Sequence, residues 1–244
     1  MKQPSSVADV LALVTREPGR PRLTWYGPDG ERIELSGAVL ANWVAKTTNL
    51  LVEEFDAGPG VSIGLDLPAH WRTAVWALAA WRCGARLAVG DGVGGADVVV
   101  TDRPGLYPGV EHVVAVALPA LARRFDGELP AGGVDAASAV MTYGDQIGWA
   151  PEVVGGEVAI EGVSHAGLVD WGLDGSGAPE GARVLLAAGD DRVGDVVAAL
   201  REALGVLARD GSVVLLGSSV ASELDADPAR RARLMAGERV TAGA

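Results

Sequence analysis

The chain has 244 residues, 49% of them apolar and 21% charged, and 20 Lys and Arg against 32 Asp and Glu leave a formal net charge of −12. A chain of this size buries roughly 70 to 75% of its unfolded surface and so supports a sizeable core, while a single cysteine excludes a disulfide framework and any multi-cysteine metal site. The acidic balance argues against nucleic acid or an anionic membrane as main partner, because both need a basic footprint.

The longest apolar runs, 74–81 and 113–122, fall short of the roughly 18 to 20 residues of a bilayer span, and residues 1–8 lack a signal-peptide pattern, so a cytoplasmic protein is expected. A first helix is predicted over 7–15. Residues 22–35 read as a hairpin: Leu23, Trp25 and Tyr26 precede Gly27-Pro28-Asp29-Gly30, whose Pro-Asp-Gly presets the turn, and Ile33 and Leu35 follow it. Ser36 is placed to cap a helix whose residues Val39, Leu40, Trp43, Val44, Thr47, Leu50 and Leu51 recur at three- and four-residue spacing. After Gly58-Pro59-Gly60 come a strand over 61–67, a helix over 68–83 with Pro68 in its first turn and Gly84 past its end, and a strand over 86–89. That strand, helix, strand order implies parallel pairing.

Further strands are expected at 97–101 and 112–117. Residues 126–151 are punctuated by Gly and Pro and weakly periodic, which places a subdomain seam there within what otherwise reads as one domain over 1–244. The second half repeats the theme: a strand at 157–160, a short helix near 165–171, a strand at 183–188, a helix at 192–209 and a strand at 212–216. In that last helix Val193, Val196, Val197, Leu200, Leu204 and Leu207 form one face, with Asp191 and Gly211 as caps. Trp71, Trp76 and Trp81 step by five residues, about 140° each, so they cannot all share one helix face.

Several residues then match a family pattern. Glu34-Leu35, Asn42, Val44-Ala45, Pro59-Gly60, Val61, Ile63, Leu67-Pro68 and Arg82-Cys83-Gly84-Ala85 stand where the adenylate-forming enzymes carry E-L, N-x-V-A, P-G-D-x-V-A-I-x-L-P and K/R-x-G-A. Gly162-Val163-Ser164-His165 with Leu168 resembles, two residues shorter, the G-V-x-x-S-H-x-x-L segment after the phosphate loop of that family, and 183–186, 211–216 and Glu238-Arg239-Val240-Thr241 continue the likeness. The chain therefore resembles the first part of the large domain of the acyl- and aryl-CoA synthetases, in the manner of small actinobacterial AMP-binding-like proteins. The resemblance implies a three-layer α/β domain with a mostly parallel sheet. The adenine-covering tyrosine motif, the ribose-binding aspartate and the mobile domain with the catalytic lysine follow later in those enzymes, so the expectation is a truncated domain.

The phosphate loop lies inside the matched region and decides the chemical expectation. The family pattern S/T-S-G-T/S-T-G-x-P-K-G uses glycines for close approach, hydroxyls as donors and a lysine as counter-charge. Counted back from Gly162, the first glycine falls on Gly155, the hydroxyl positions on Gly156 and Glu157, the proline on Ile160 and the lysine on Glu161. A carboxylate about 4 Å from a phosphate at an effective dielectric near 20 is repulsive by about 4 kcal/mol. ATP is not expected to bind there in the family manner.

Other motifs take structural readings. Gly90-Asp91-Gly92-Val93-Gly94-Gly95 satisfies G-x-G-x-x-G, but a strand and not a helix follows it, so no helix N-terminus is available for a pyrophosphate. Ser176 to Gly181 has the composition of a phosphate loop in the wrong place and reads as a turn. Ser164, His165 and Asp170 lack the G-x-S-x-G elbow of a hydrolase. His70, His112 and His165 are scattered, Cys83 reads as a small buried residue, and Asp190-Asp191 as a helix cap. The sequence thus suggests a catalytically silent relative kept for binding or assembly, with no cofactor, no metal and no catalytic residue. A two-fold dimer is the simplest assembly, and an unknown protein partner or small ligand stays open. The alternative is a residual nucleotide- or acyl-binding enzyme, in which ATP or AMP would occupy a rearranged or partner-completed site.

Overall fold

In the computed structural model, which describes residues 3–243, the chain runs α1 (Val7–Val14), β1 (Pro21–Tyr26), β2 (Arg32–Ser36), α2 (Gly37–Phe55), β3 (Ser62–Asp66), α3 (Trp71–Arg82), β4 (Arg86–Ala88), β5 (Val98–Thr101), β6 (His112–Ala115), β7 (Val134–Asp135), α4 (Ala136–Ala139), β8 (Val158–Ile160), β9 (Val163–Ser164), α5 (Leu168–Gly175), β10 (Arg183–Ala187), α6 (Gly194–Ala208), β11 (Ser212–Leu216), α7 (Ser218–Ala226) and α8 (Pro228–Gly237). The α/β expectation holds, and pairing is mostly parallel. The strands divide among a four-stranded, a five-stranded and a two-stranded sheet. The chain forms two compact units, one of residues 1–40, 68–74 and 169–244, the other of residues 41–67 and 75–168. The stretch 126–151, expected as a seam, lies wholly inside the second unit.

The first unit is built on the sheet β10-β11-β1-β2. The predicted hairpin forms, with Leu23 opposite Leu35 and Trp25 opposite Ile33. On its other side β1 pairs in parallel with β11, Leu23 with Val213. Leu185, Val214, Leu216, Val220, Ala221 and Leu224 form a core cluster that joins the sheet to α7. Both α7 and α8 fall in 218–237, where no element was predicted; Asp227 caps α8 by accepting from the Arg230 N–H at 2.9 Å, with Pro228 at the first helical position. Glu238 then anchors the chain: it pairs with Arg183 and Arg32 and accepts from the Tyr26 hydroxyl at 2.5 Å. Thr241 and Ala242 run on beside β10, with Val184 opposite Ala242.

The second unit carries the all-parallel sheet β4-β3-β5-β6-β7. Every residue of β5, Val98–Thr101, is buried, as an interior parallel strand requires. Because β4 and β5 flank β3, their connection passes over β3, and it does so as the 3-10 turn Gly90–Gly95. A Cβ at Gly64 on β3 would lie 2.8 Å from the Val93 carbonyl oxygen, so this close crossing accounts for the glycine at position 64. The stretch 143–148 is tied to α2: Lys46 donates to the Tyr143 carbonyl and pairs with Asp145, Asn49 donates to the Gly144 and Gln146 carbonyls, and the Tyr143 hydroxyl donates to Glu54.

Two local expectations shift. α3 begins at Trp71 and not at Pro68: His70 Nδ1 accepts from the Arg72 N–H at 3.1 Å and caps the helix, while Thr73 donates to the Pro68 carbonyl at 2.6 Å. α6 begins at Gly194, with Val193 exposed before it and not on the buried face.

Candidate functional site

The segment aligned with the phosphate loop is a hairpin. Val158 on β8 pairs with Ser164 on β9, Ile160 pairs with Val163, and Glu161-Gly162 make the turn, with Gly162 at φ 74° in the left-handed region that glycine permits. Part of its backbone is already paired. The Glu157 N–H donates to the Val154 carbonyl, the His165 N–H to the Glu157 carbonyl and the Ala166 N–H to the Gly155 carbonyl, all between 2.9 and 3.0 Å. The Glu157 carboxylate accepts from the Gly60 N–H at 3.0 Å, so it ties the hairpin to the Gly58-Pro59-Gly60 turn. Gly156, Glu161 and Gly162 are exposed and Gly155 half-buried. A phosphate would meet the carboxylates of Glu157 and Glu161, the reverse of the charge an anion site offers.

Its neighbours serve packing. Ser164 Oγ accepts from the Gly167 N–H at 3.3 Å and caps the turn that leads into α5. His165 is buried against the Gly84 backbone; burial pushes its pKa below the ordinary histidine value, and its Nε2 has no partner among the described residues. Asp170 is exposed on α5. Trp81 donates its indole N–H to the Ala159 carbonyl of β8 at 3.0 Å, which fixes α3 to the hairpin. Outward from this region, Trp149 is 70% exposed, and Val153, Val154 and Val158 are also exposed.

The remaining motifs resolve in the same way. The Cys83 thiol is buried, donates to the Ala80 carbonyl, and has a pKa raised by burial to about 11, so it is not a ready nucleophile. Asp191 accepts from the Val193 N–H at 2.8 Å ahead of α6. Ser176 is buried and accepts from the Ala178 N–H within the turn before β10. Among the described residues no group of three or more His, Cys, Asp or Glu is placed to hold a metal ion, and no helix is long and apolar enough to cross a membrane.

Sequence reasoning missed three buried polar clusters. Arg22 has no exposed surface; it donates to the carbonyls of Val14, Asp210 and Gly211 and pairs with Asp210 at 2.7 Å. Asp66 accepts from Thr101 at 2.9 Å and Arg103 at 2.5 Å; burial raises its pKa, but these bonds outweigh burial and hold it below the usual carboxylate value. His70 packs edge-on against Trp25 at 4.5 Å, and the Arg72 guanidinium lies 4.3 Å from the Trp71 ring centre. The only one-dimensional signal for any of these is a charged residue inside an apolar strand or helix start.

The fold is that of the acyl-CoA synthetases. The crystal structure of a Brucella canis acyl-CoA synthetase superposes with a TM-score of 0.68 over 93% of this chain at 18% identity, and this chain spans 48% of that enzyme's length. No family profile matches the sequence. The chain is 36% identical, over an alignment of 256 positions covering 99% of both proteins, to a Mycobacterium tuberculosis (strain ATCC 25618 / H37Rv) protein described as a TIGR03089 family protein. It belongs to that TIGR03089 family.

Proposed function

We propose that this protein is a catalytically silent relative of the acyl- and aryl-CoA synthetases that acts through binding or assembly. One observation carries the reading: the segment aligned with the phosphate loop is a hairpin that turns at Glu161-Gly162, with the Glu157 N–H paired to the Val154 carbonyl and the Glu157 carboxylate tied to Gly60. The charge is wrong for a triphosphate, and the Glu157 amide is already engaged. Calorimetric titration and thermal melting with ATP, AMP and CoA test this. The expected result is no saturable heat and no rise in Tm; ATP binding in the micromolar range would overturn it, since a bound ligand at one hundred times its dissociation constant adds about 2.7 kcal/mol of stability. The double variant Glu157→Lys, Glu161→Lys is expected to remain unable to bind ATP, because reversing the charge leaves the hairpin pairing intact.

Self-association belongs to the same reading. Trp149, Val153, Val154 and Val158 put apolar side chains in water within ten residues of one another, and such exposure marks interaction surfaces. A two-fold dimer is the simplest assembly. Light scattering across micromolar concentrations is expected to give twice the monomer mass, and a monomer throughout would remove the dimer from the proposal.

A further inference from the structure

Within the first unit, a cleft of about 210 Å³ opens beside the C-terminal end of α6, walled by Gln3, Leu13, Leu173, Glu180, Arg209 and Asp210. Its volume is below the roughly 300 to 1,000 Å³ of pockets for drug-sized ligands, so a nucleotide or CoA is too large for it. The charges around it are unevenly spent. Asp210 is neutralised by Arg22 at 2.7 Å and Arg20 at 3.6 Å. Arg209, the C-cap residue of α6, makes one long bond from Nη2 to the Leu173 carbonyl at 3.4 Å, and its buried Nε has no partner among the described residues. That Nε is closed off from the cleft, so the guanidinium meets a ligand through its terminal nitrogens. Glu180 is exposed on the turn before β10. That turn is fixed to Arg209 itself, because the Gly181 N–H donates to the Arg209 carbonyl at 2.8 Å. A cation and an anion are thereby held on one cleft with apolar wall from Leu13, Leu173 and Ala208.

We propose that this cleft binds a small zwitterion of amino-acid size, Arg209 taking its carboxylate and Glu180 its ammonium group. A simple carboxylate would be attracted by Arg209 and repelled by Glu180, and a simple amine the reverse; only a ligand with both charges gains from both. The inference stands apart from the hairpin at 155–162 and from any question of ATP.

Glycine, L-alanine and L-serine are the probes, with acetate and methylammonium as single-charge controls, read by thermal melting and by amide NMR of the whole protein. The amino acids are expected to give saturable shifts in the amides of 173–182 and 208–210 and, at ten times the dissociation constant, a Tm rise of roughly 3 °C. The single-charge controls should bind about tenfold more weakly, or worse, as the loss of one ion pair dictates. Arg209→Gln should abolish the effect. Glu180→Gln, at an exposed side chain, should leave the unliganded Tm unchanged while lowering amino-acid affinity to the level of acetate. If Arg209→Gln fails to fold, the Glu180→Gln titration decides alone. No saturable shift with any amino acid at millimolar concentration, or a Glu180→Gln variant that titrates as wild type, overturns the proposal.

Discussion

Arg22 illustrates how a residue can govern a unit and leave almost no trace in the sequence. Its partners at Asp210 and Gly211 lie 188 and 189 positions away, so nothing in the run Pro21-Arg22-Leu23 announces them. Removing one member of a buried, hydrogen-bonded pair costs about 3 to 5 kcal/mol; here the carbonyls of Val14, Asp210 and Gly211 lose their donor and Asp210 keeps only the longer contact to Arg20 at 3.6 Å. Arg22→Met is therefore expected to lower stability by about that much in urea denaturation, and a change under 1 kcal/mol would show the pair to be idle. His70 gives a pH signature. Burial, with the positive Arg72 adding to it, lowers its pKa to about 3. The unfolded chain takes up a proton near pH 6.5 and the folded one does not, so this residue's contribution to stability is full above 6.5 and is lost as pH falls towards 3. The slope is about 1.4 kcal/mol per pH unit, and His70→Asn, which keeps a cap acceptor, is expected to lose that slope between pH 6.5 and 4.5. Equal slopes in the two proteins would contradict it. At this scale the sequence supplies residue types and is silent about geometry: the carboxylates of Glu157 and Glu161 are there to be read, but the bond from Gly60 to Glu157 is not.

Elements with local causes were legible. The first helix, the β1–β2 hairpin, the cap at Ser36 and β11 lie where turn chemistry, capping and periodicity put them, because each depends on residues within a few positions of one another. What failed did so for non-local reasons. Pro68 satisfied the rule for a helix start, yet His70 supplies the cap and sets the start at Trp71. The α7–α8 pair carries a local signal in the Asp227-Pro228 cap of α8. The need for glycine at position 64 makes sense only once β4, β3 and β5 are adjacent and the 90–95 turn crosses β3. Gly64→Ala tests that account: its added Cβ meets the Val93 backbone at 2.8 Å, so a loss of about 1 to 3 kcal/mol is expected in thermal melting, and a neutral result would mean that the crossing yields easily. Trp81→Phe keeps most of the buried ring but leaves the Ala159 carbonyl of β8 without its donor, an expected cost of about 1 to 3 kcal/mol.

For the whole molecule, the chain's path matters more than its length. Each compact unit is assembled from separated stretches, and the first takes β10 and β11 from the C-terminal third while β1 and β2 come from the first forty residues. A fragment of residues 1–168 would keep only a two-stranded hairpin of that sheet, and isolated hairpins are marginal in water. We expect amide NMR of this fragment to show residues 3–40 unfolded; a native spectrum there would mean that β11 is dispensable. The α/β class was legible from strand and helix alternation, and the partition was not, because a boundary such as 168/169 carries no break in composition.

The distribution of indoles has a practical outcome. Trp25, Trp71, Trp76 and Trp81 are buried, whereas Trp149 stands largely in solvent, a few residues along the chain from the exposed Val153, Val154 and Val158. Its fluorescence should lie to the red of theirs and be quenched by acrylamide far more readily, so a label-free concentration series, followed by emission maximum and quenching constant, reads directly whether that face becomes covered.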